Sequence, residues 1–190
     1  MRSLIEGIEV FQHKVFPEYK ELFADLAAGQ SPEVLLITCS DSRIDPSLVT
    51  QTKPGELFVI RNAGNIIPAY GQGGGEEATV EYAIRVLGIR NAVVCGHTDC
   101  GAMKGVLHPE DLSSLPSVQA WLEPARRVLC NLTPDADEEA GLQSLIERNV
   151  LLQLENLKTH PAIAEALARD ELHLSGAVYT IKSGEFRLLT

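Results

Sequence analysis

Two stretches built alike constrain this chain more than anything else in it. Ile37-Thr38 runs into Cys39-Ser40-Asp41-Ser42-Arg43, and Val93-Val94-Cys95-Gly96 runs into His97-Thr98-Asp99-Cys100-Gly101. Each opens on a short apolar run with β-branched residues and then turns abruptly into polar, metal-capable side chains. A buried parallel strand that ends at a functional rim has this form. In open α/β sheets, ligand chemistry gathers in the crevice beyond the carboxyl ends of the strands. The pattern therefore predicts an α/β fold in which Cys39, His97 and Cys100 meet at two strand ends around one metal ion.

Thiolate sulfur and imidazole nitrogen are the donors that Zn²⁺ prefers. The His-x-x-Cys spacing lets one turn present both side chains to one point, and Cys39 arrives from a distant segment. Three protein ligands leave one tetrahedral position open, the mark of a catalytic zinc. Cys95, inside an apolar strand, and Cys130, in a helical apolar pattern, read as core cysteines. Asp41 lies two residues past a ligand and can reach the open position, either to bind the metal or to accept a hydrogen bond from a hydroxide there. Arg43 has the fork geometry to hold that carboxylate by two parallel bonds.

Cys39-x-Asp41-x-Arg43 followed by His97-x-x-Cys100 resembles the signature of the β-class carbonic anhydrases. The likeness continues through Arg61-Asn62-Ala63-Gly64-Asn65, Glu81-Tyr82-Ala83, Cys95-Gly96-His97 and Cys100-Gly101-Ala102, and it is nearest to the plant and cyanobacterial-like branch. The resemblance implies reversible hydration of CO₂ to bicarbonate and a proton, with one Zn²⁺ per subunit on Cys39, His97 and Cys100. Asp41 and Arg43 would be the catalytic pair. It also implies a substrate pocket lined by Gln30, Phe58 and Tyr82, with the backbone N–H of Gly101 as a donor. Family members form a homodimer or higher even oligomer through an N-terminal arm and share that pocket between subunits. One position departs from the family: members with an inhibitory bicarbonate site carry tryptophan three residues before the first zinc cysteine, where this chain has Leu36, although Arg61 and Tyr82 match. The expected state is accordingly the open one, with Asp41 paired to Arg43. Two thiolates formally neutralise Zn²⁺, so turnover should climb as pH rises from about 7 toward 8–9.

At 190 residues a single domain is expected, with a helical arm at 1–28 and an α/β core at 29–190. The net charge of -10 argues against nucleic-acid or anionic-membrane partners. The Met1-Arg2-Ser3-Leu4 start lacks an apolar signal core, and four cysteines with two given to metal do not make a disulfide framework. A cytoplasmic location follows, with a carboxysome left open by the cyanobacterial likeness. Asn131-Leu132-Thr133 matches a glycosylation sequon that carries no weight without secretion.

Along the chain, Leu4, Ile8, Phe11 and Val15 mark an amphipathic helix interrupted by Pro17 and continued to Gly29. Strands are predicted at 34–38, 57–60 and 91–95, the expected skeleton of a mostly parallel central sheet flanked by helices. Asp45-Pro46 reads as a helix start. The glycine-rich run 71–75 lacks a phosphate-loop fingerprint and leads into a helix at 76–87, with Ala78, Tyr82, Ala83, Val86 and Leu87 as its apolar face. A helix is expected from 101 to 107, a Pro- and Ser-rich loop at 108–117, helices at 117–130 and 138–158 separated by 133–137, and a short one ending at Arg169. The tail reads as a hairpin and edge strand, 177–181 and 186–189. His13, His108, His160 and His173 read as surface or capping residues. Three rival readings stay open: a hydrolase of carbonyl sulfide or carbon disulfide, a non-catalytic zinc protein, and a redox pair of Cys95 with Cys100, whose spacing is not Cys-x-x-Cys.

Overall fold

The computed structural model describes residues 2–131 and 137–190, with side chains from 3 to 129 and from 137 onward. The expected core role of Cys130, the sequon at 131–133 and most of the 133–137 separator lie outside these. The chain divides into two compact units, residues 1–31 and 32–190.

The first unit is helical. Helix α1 (Arg2–Val10) passes through a wide π-type turn at Phe11–Val15 and a tight turn at Phe16–Tyr19 into α2 (Lys20–Ala28). Pro17 interrupts the α-helix as expected, falling in the tight turn between α1 and α2. Phe11, Phe16 and Phe23 cluster with ring centroids 5.5–6.2 Å apart. Leu4, Ile5, Ile8 and Val10 of α1 are exposed.

The second unit carries a five-stranded sheet in the order β2-β1-β3-β4-β5. Its elements follow in chain order: β1 (Val34–Cys39), α3 (Pro46–Thr50), β2 (Leu57–Asn62), α4 (Gly75–Arg85), β3 (Asn91–His97), α5 (Gly101–Leu107), α6 (Pro116–Leu122), α7 (Glu138–Lys158), α8 (Pro161–Ala168), β4 (His173–Thr180) and β5 (Glu185–Leu188). The first four strands are parallel, and β5 closes the C-terminal hairpin antiparallel to β4. Leu35 and Ile37 in β1 and Val94 in β3 are wholly buried, as central parallel strands require. Asp45 caps α3 by accepting from the N–H of Leu48 at 3.0 Å, with Pro46 in the first turn. Among the described residues no helix is long and apolar enough to cross a membrane.

Three expectations need correction. Strand β4 begins at His173, four residues early, because Gly176 disguised it; a Cβ there or at Gly96 would lie 2.9 Å from a Val150 methyl. Those two glycines let α7 settle directly on β3 and β4. The helix expected through 130 is α-helical only to Leu122, then a series of tight turns from Glu123. Pro124 lacks the N–H for the next α-helical bond, and the loop before α6 holds a tight turn of its own at Pro109–Leu112. The face that α4 turns to the core is Val80 and Ala83; Tyr82 and Val86 are 44% and 63% exposed. Ala78, Tyr82 and Val86 recur at i, i+4, i+8 and form a separate, exposed stripe.

Candidate metal centre

The connections leaving β1 and β3 run in opposite directions along the sheet, which makes the gap between their carboxyl ends a topological switch point. Register pairs Thr38 with Cys95, so Cys39 ends β1 beside the end of β3, where His97 stands. A turn through Asp99, whose φ is 59°, brings Cys100 to the N-cap of α5. The donor atoms of Cys39, His97 and Cys100 lie within 4.8 Å of one another, and all three residues are buried.

This donor set fits a metal. His97 Nδ1 sits 2.9 Å from the carbonyl of Thr98, which can only accept, so the ring proton is on Nδ1 and the lone pair on Nε2. Nε2 is buried and makes no hydrogen bond, an orphaned atom that a cation would satisfy. The Cys100 thiol hydrogen-bonds Cys39 and, against the opposing effect of burial, brings its pKa down to about 4. The N–H groups of Gly64 and Asp41 act in the same direction. Cys100, the donor of that bond and buried, is pushed well above the ordinary thiol value. Two sulfurs that already share one negative charge are disposed to release the remaining proton to a divalent ion.

Asp41 borders this group, its Oδ2 3.8 Å from His97 Nε2. Arg43 grips it with Nε to Oδ1 at 2.9 Å and Nη2 to Oδ2 at 2.7 Å, and the Arg43 backbone N–H adds a third bond to Oδ1 at 3.0 Å. Those bonds hold the carboxyl well below the usual carboxylate range. Arg61 fixes the backbone beneath, donating to the carbonyls of Cys39 at 3.0 Å and Asp41 at 2.9 Å. Arg43 also reaches Asp99, with Nη1 to Oδ2 at 2.7 Å and Nη2 to the Asp99 carbonyl at 3.1 Å, and Lys104 pairs with the other oxygen of Asp99.

The loop after β2 supplies a further contact. Gly64 N–H points at Cys39 Sγ from 3.4 Å, with φ at 83° and Ala102 and Met103 each 3.0 Å from where a Cβ would stand. Only glycine fits there without displacing a neighbour. Three amides on α7 pin this loop. Asn149 donates to the Gly64 carbonyl at 3.0 Å, Gln153 accepts from the Ile67 N–H at 2.9 Å, and Asn156 donates to the Ile67 carbonyl at 2.8 Å. Gln153 ties the set together, donating to Asn149 at 2.8 Å and accepting from Asn156 at 3.1 Å. Asn149 and Gln153 are each 1% exposed. Sequence reasoning missed this ladder, whose signal was three amides at helical spacing inside a long apolar helix; Asp99 was likewise given no role.

The expected pocket residues distribute differently. Gly101 is the first residue of α5, adjoining Cys100, where backbone N–H groups have no partner within the helix. Phe58 and Tyr82 stack on each other, centroids 6.1 Å apart. Phe58 is in register with Leu35, four residues below Cys39, or about 13 Å along the strand. Phe58 also packs against the main core, and its register position lies away from the metal group of the same chain. Gln30 belongs to the first unit. Of the remaining histidines, His13 and His173 are exposed and His108 lies half-buried between Glu110 and Glu138. His160, expected at the surface or as a cap, is the N-cap residue of α8 but is buried, 2% exposed. Its Nε2 is 2.9 Å from the Pro68 carbonyl, a contact across the fold that no local pattern reveals.

Comparison with known proteins agrees with this geometry. The family model described as carbonic anhydrase matches residues 34–186. The chain is 50% identical over 192 residues to a carbonic anhydrase of Pseudomonas aeruginosa, covering 100% of this chain and 87% of that one. The solved structure of the beta-carbonic anhydrase CcaA superposes with a TM-score of 0.93 at 47% identity, over 100% of this chain and 95% of that one. One of two tetrameric beta-carbonic anhydrases from Sordaria macrospora does so with a TM-score of 0.89 at 30% identity, over 99% and 95%. A sheet of this order, a buried Cys-His-Cys group at its switch point and kinship along the full chain together make this protein a member of the β-class carbonic anhydrase family.

Proposed function

We propose that this chain catalyses the reversible hydration of CO₂ to bicarbonate with one Zn²⁺ per subunit, held by Cys39, His97 and Cys100. The observation that carries the proposal is the buried three-donor group with an arginine-anchored carboxylate at its edge. A zinc ion there supplies the acidity that makes water a nucleophile near neutral pH. Asp41, kept ionised by Arg43, accepts a hydrogen bond from the attacking hydroxide and so fixes which lone pair meets the carbon. The N–H of Gly101 is available to the CO₂ oxygen that gains charge. Phe58 and Tyr82, distant from their own metal group, would wall the pocket of a partner subunit together with Gln30. The exposed stripe of α4, the exposed apolar residues of α1 and the tetrameric relative support a homodimer or a higher even oligomer. A reducing, cytoplasmic setting fits Cys39, Cys95 and Cys100, which are free thiols among the described residues.

Burial pushes the Cys95 thiol up to about 12, which leaves it protonated and a poor partner in thiol exchange, against the redox reading. A non-catalytic zinc site has no need of an oriented carboxylate. The test is stopped-flow CO₂ hydration on protein of measured zinc content. D41N should lose about 10²–10³ in turnover while keeping its zinc. Wild-type turnover in D41N would return the reading to a non-catalytic zinc protein, and sulfide release outpacing hydration would favour the carbonyl sulfide or carbon disulfide hydrolase.

A further inference from the structure

We infer that Asp99 is a positioning residue for this reaction, tying Arg43, and through it Asp41, to the loop that carries two of the three metal donors. The inference rests on the role proposed for Asp41. Arg43 and Asp41 are two residues apart on one loop, so their mutual pairing fixes how they face each other but not where the pair sits. The Arg43 side chain is 44% exposed, and the bonds from Arg61 and the Ile44 N–H hold the Asp41 backbone but not the paired side chains. Asp99 removes that freedom. It lies between His97 and Cys100, and it takes Arg43 Nη1 on its carboxylate and Nη2 on its carbonyl. With Nε and Nη2 on Asp41, the guanidinium makes four hydrogen bonds to two loops. Lys104, one turn into α5, holds the second Asp99 oxygen and so aims the carboxylate. The left-handed backbone at Asp99 is unusual for a residue with a Cβ, and aspartate is one of the few that adopt it. That backbone presents both the carbonyl and the carboxylate of one residue to one guanidinium.

An exposed ion pair with no function contributes little, and only coupling to Asp41 separates the two roles. The test is a double-mutant cycle on the zinc-loaded enzyme. D99G removes the carboxylate and tolerates the left-handed backbone. It should lower kcat about three- to tenfold, the range of one ordinary hydrogen bond at a half-exposed site, with KM and bound zinc unchanged. D99N, which can still accept from Nη1, should recover part of that loss. In a D41N background D99G should cost nothing further. K104M provides a second route if D99G does not fold, with a smaller loss that also vanishes in D41N. Absorption of the cobalt-substituted protein gives a readout apart from turnover: D99G should shift the bands, and D41N/D99G should match D41N. Equal losses in both backgrounds, no loss in either, or loss of zinc from D99G would overturn the assignment. Full turnover in D41N alone would instead remove the role of Asp41 on which it stands.

Discussion

Replacing Asn149 with alanine tests whether the site rests on α7. The side chain makes two buried hydrogen bonds, donating to the Gly64 carbonyl at 3.0 Å and accepting from Gln153 at 2.8 Å. Its removal orphans one acceptor and one donor, each costing about 1–3 kcal/mol when no water replaces the partner. Alanine returns about 0.6 kcal/mol through helix propensity. A water admitted to the vacated space recovers part of the rest. The expected net loss is about 2–4 kcal/mol. For a chain of this size that is a fall in Tm of about 5–15 °C, at roughly 2–4 °C per kcal/mol. Thermal melts of zinc-saturated N149A and wild type at equal protein concentration read it directly. Q143A is the control: among the described residues Gln143 bonds the neighbouring Glu147 side chain, and its loss should stay within about 0.5 kcal/mol. If N149A melted within 2 °C of wild type, or no lower than Q143A, the ladder would not be holding the loop.

Gly64→Ala should destabilise by about 2–4 kcal/mol, combining a left-handed backbone with a Cβ 3.0 Å from Ala102 and Met103, and chelator competition should show faster metal loss. The depressed Asp41 carboxyl gives stability that is full above the unfolded carboxylate value of about 3.9 and fades as pH falls through the lower folded value. The gap between melts of metal-free wild type and D41N should therefore hold from pH 6 to about 4 and begin to narrow toward pH 3; a gap that widened there would contradict the pairing. Turnover should climb from about pH 7 toward 8–9, and a flat profile would remove the ligand-charge argument.

The parts legible in the sequence were those written locally. Cys39 and His97 each end a β-rich run, so strand type, rim position and donor chemistry could be read together. Asp45-Pro46 announced α3 by its own side chain. What escaped depended on partners distant in the chain. Gly176 looks like a strand breaker until Val150 is seen against it. Tyr82 reads as core because periodicity reports apolarity, not which of two stripes the sheet claims. Asp99 sits inside a recognised motif, yet its purpose lies 56 residues away on Arg43. His160 bonds the Pro68 carbonyl from the far side of a long helix, where no periodic signal reaches.

Two of the three donors hang on the alignment of one strand pair. Side chains alternate across a strand, so sliding β1 by a single residue against β3 would aim the sulfur of Cys39 at the opposite side of the sheet. No partly assembled version of the centre exists between those two alignments. Mutations that loosen Leu35 or Ile37 should thus show themselves first as protein that cannot keep its metal, before any slower turnover is seen.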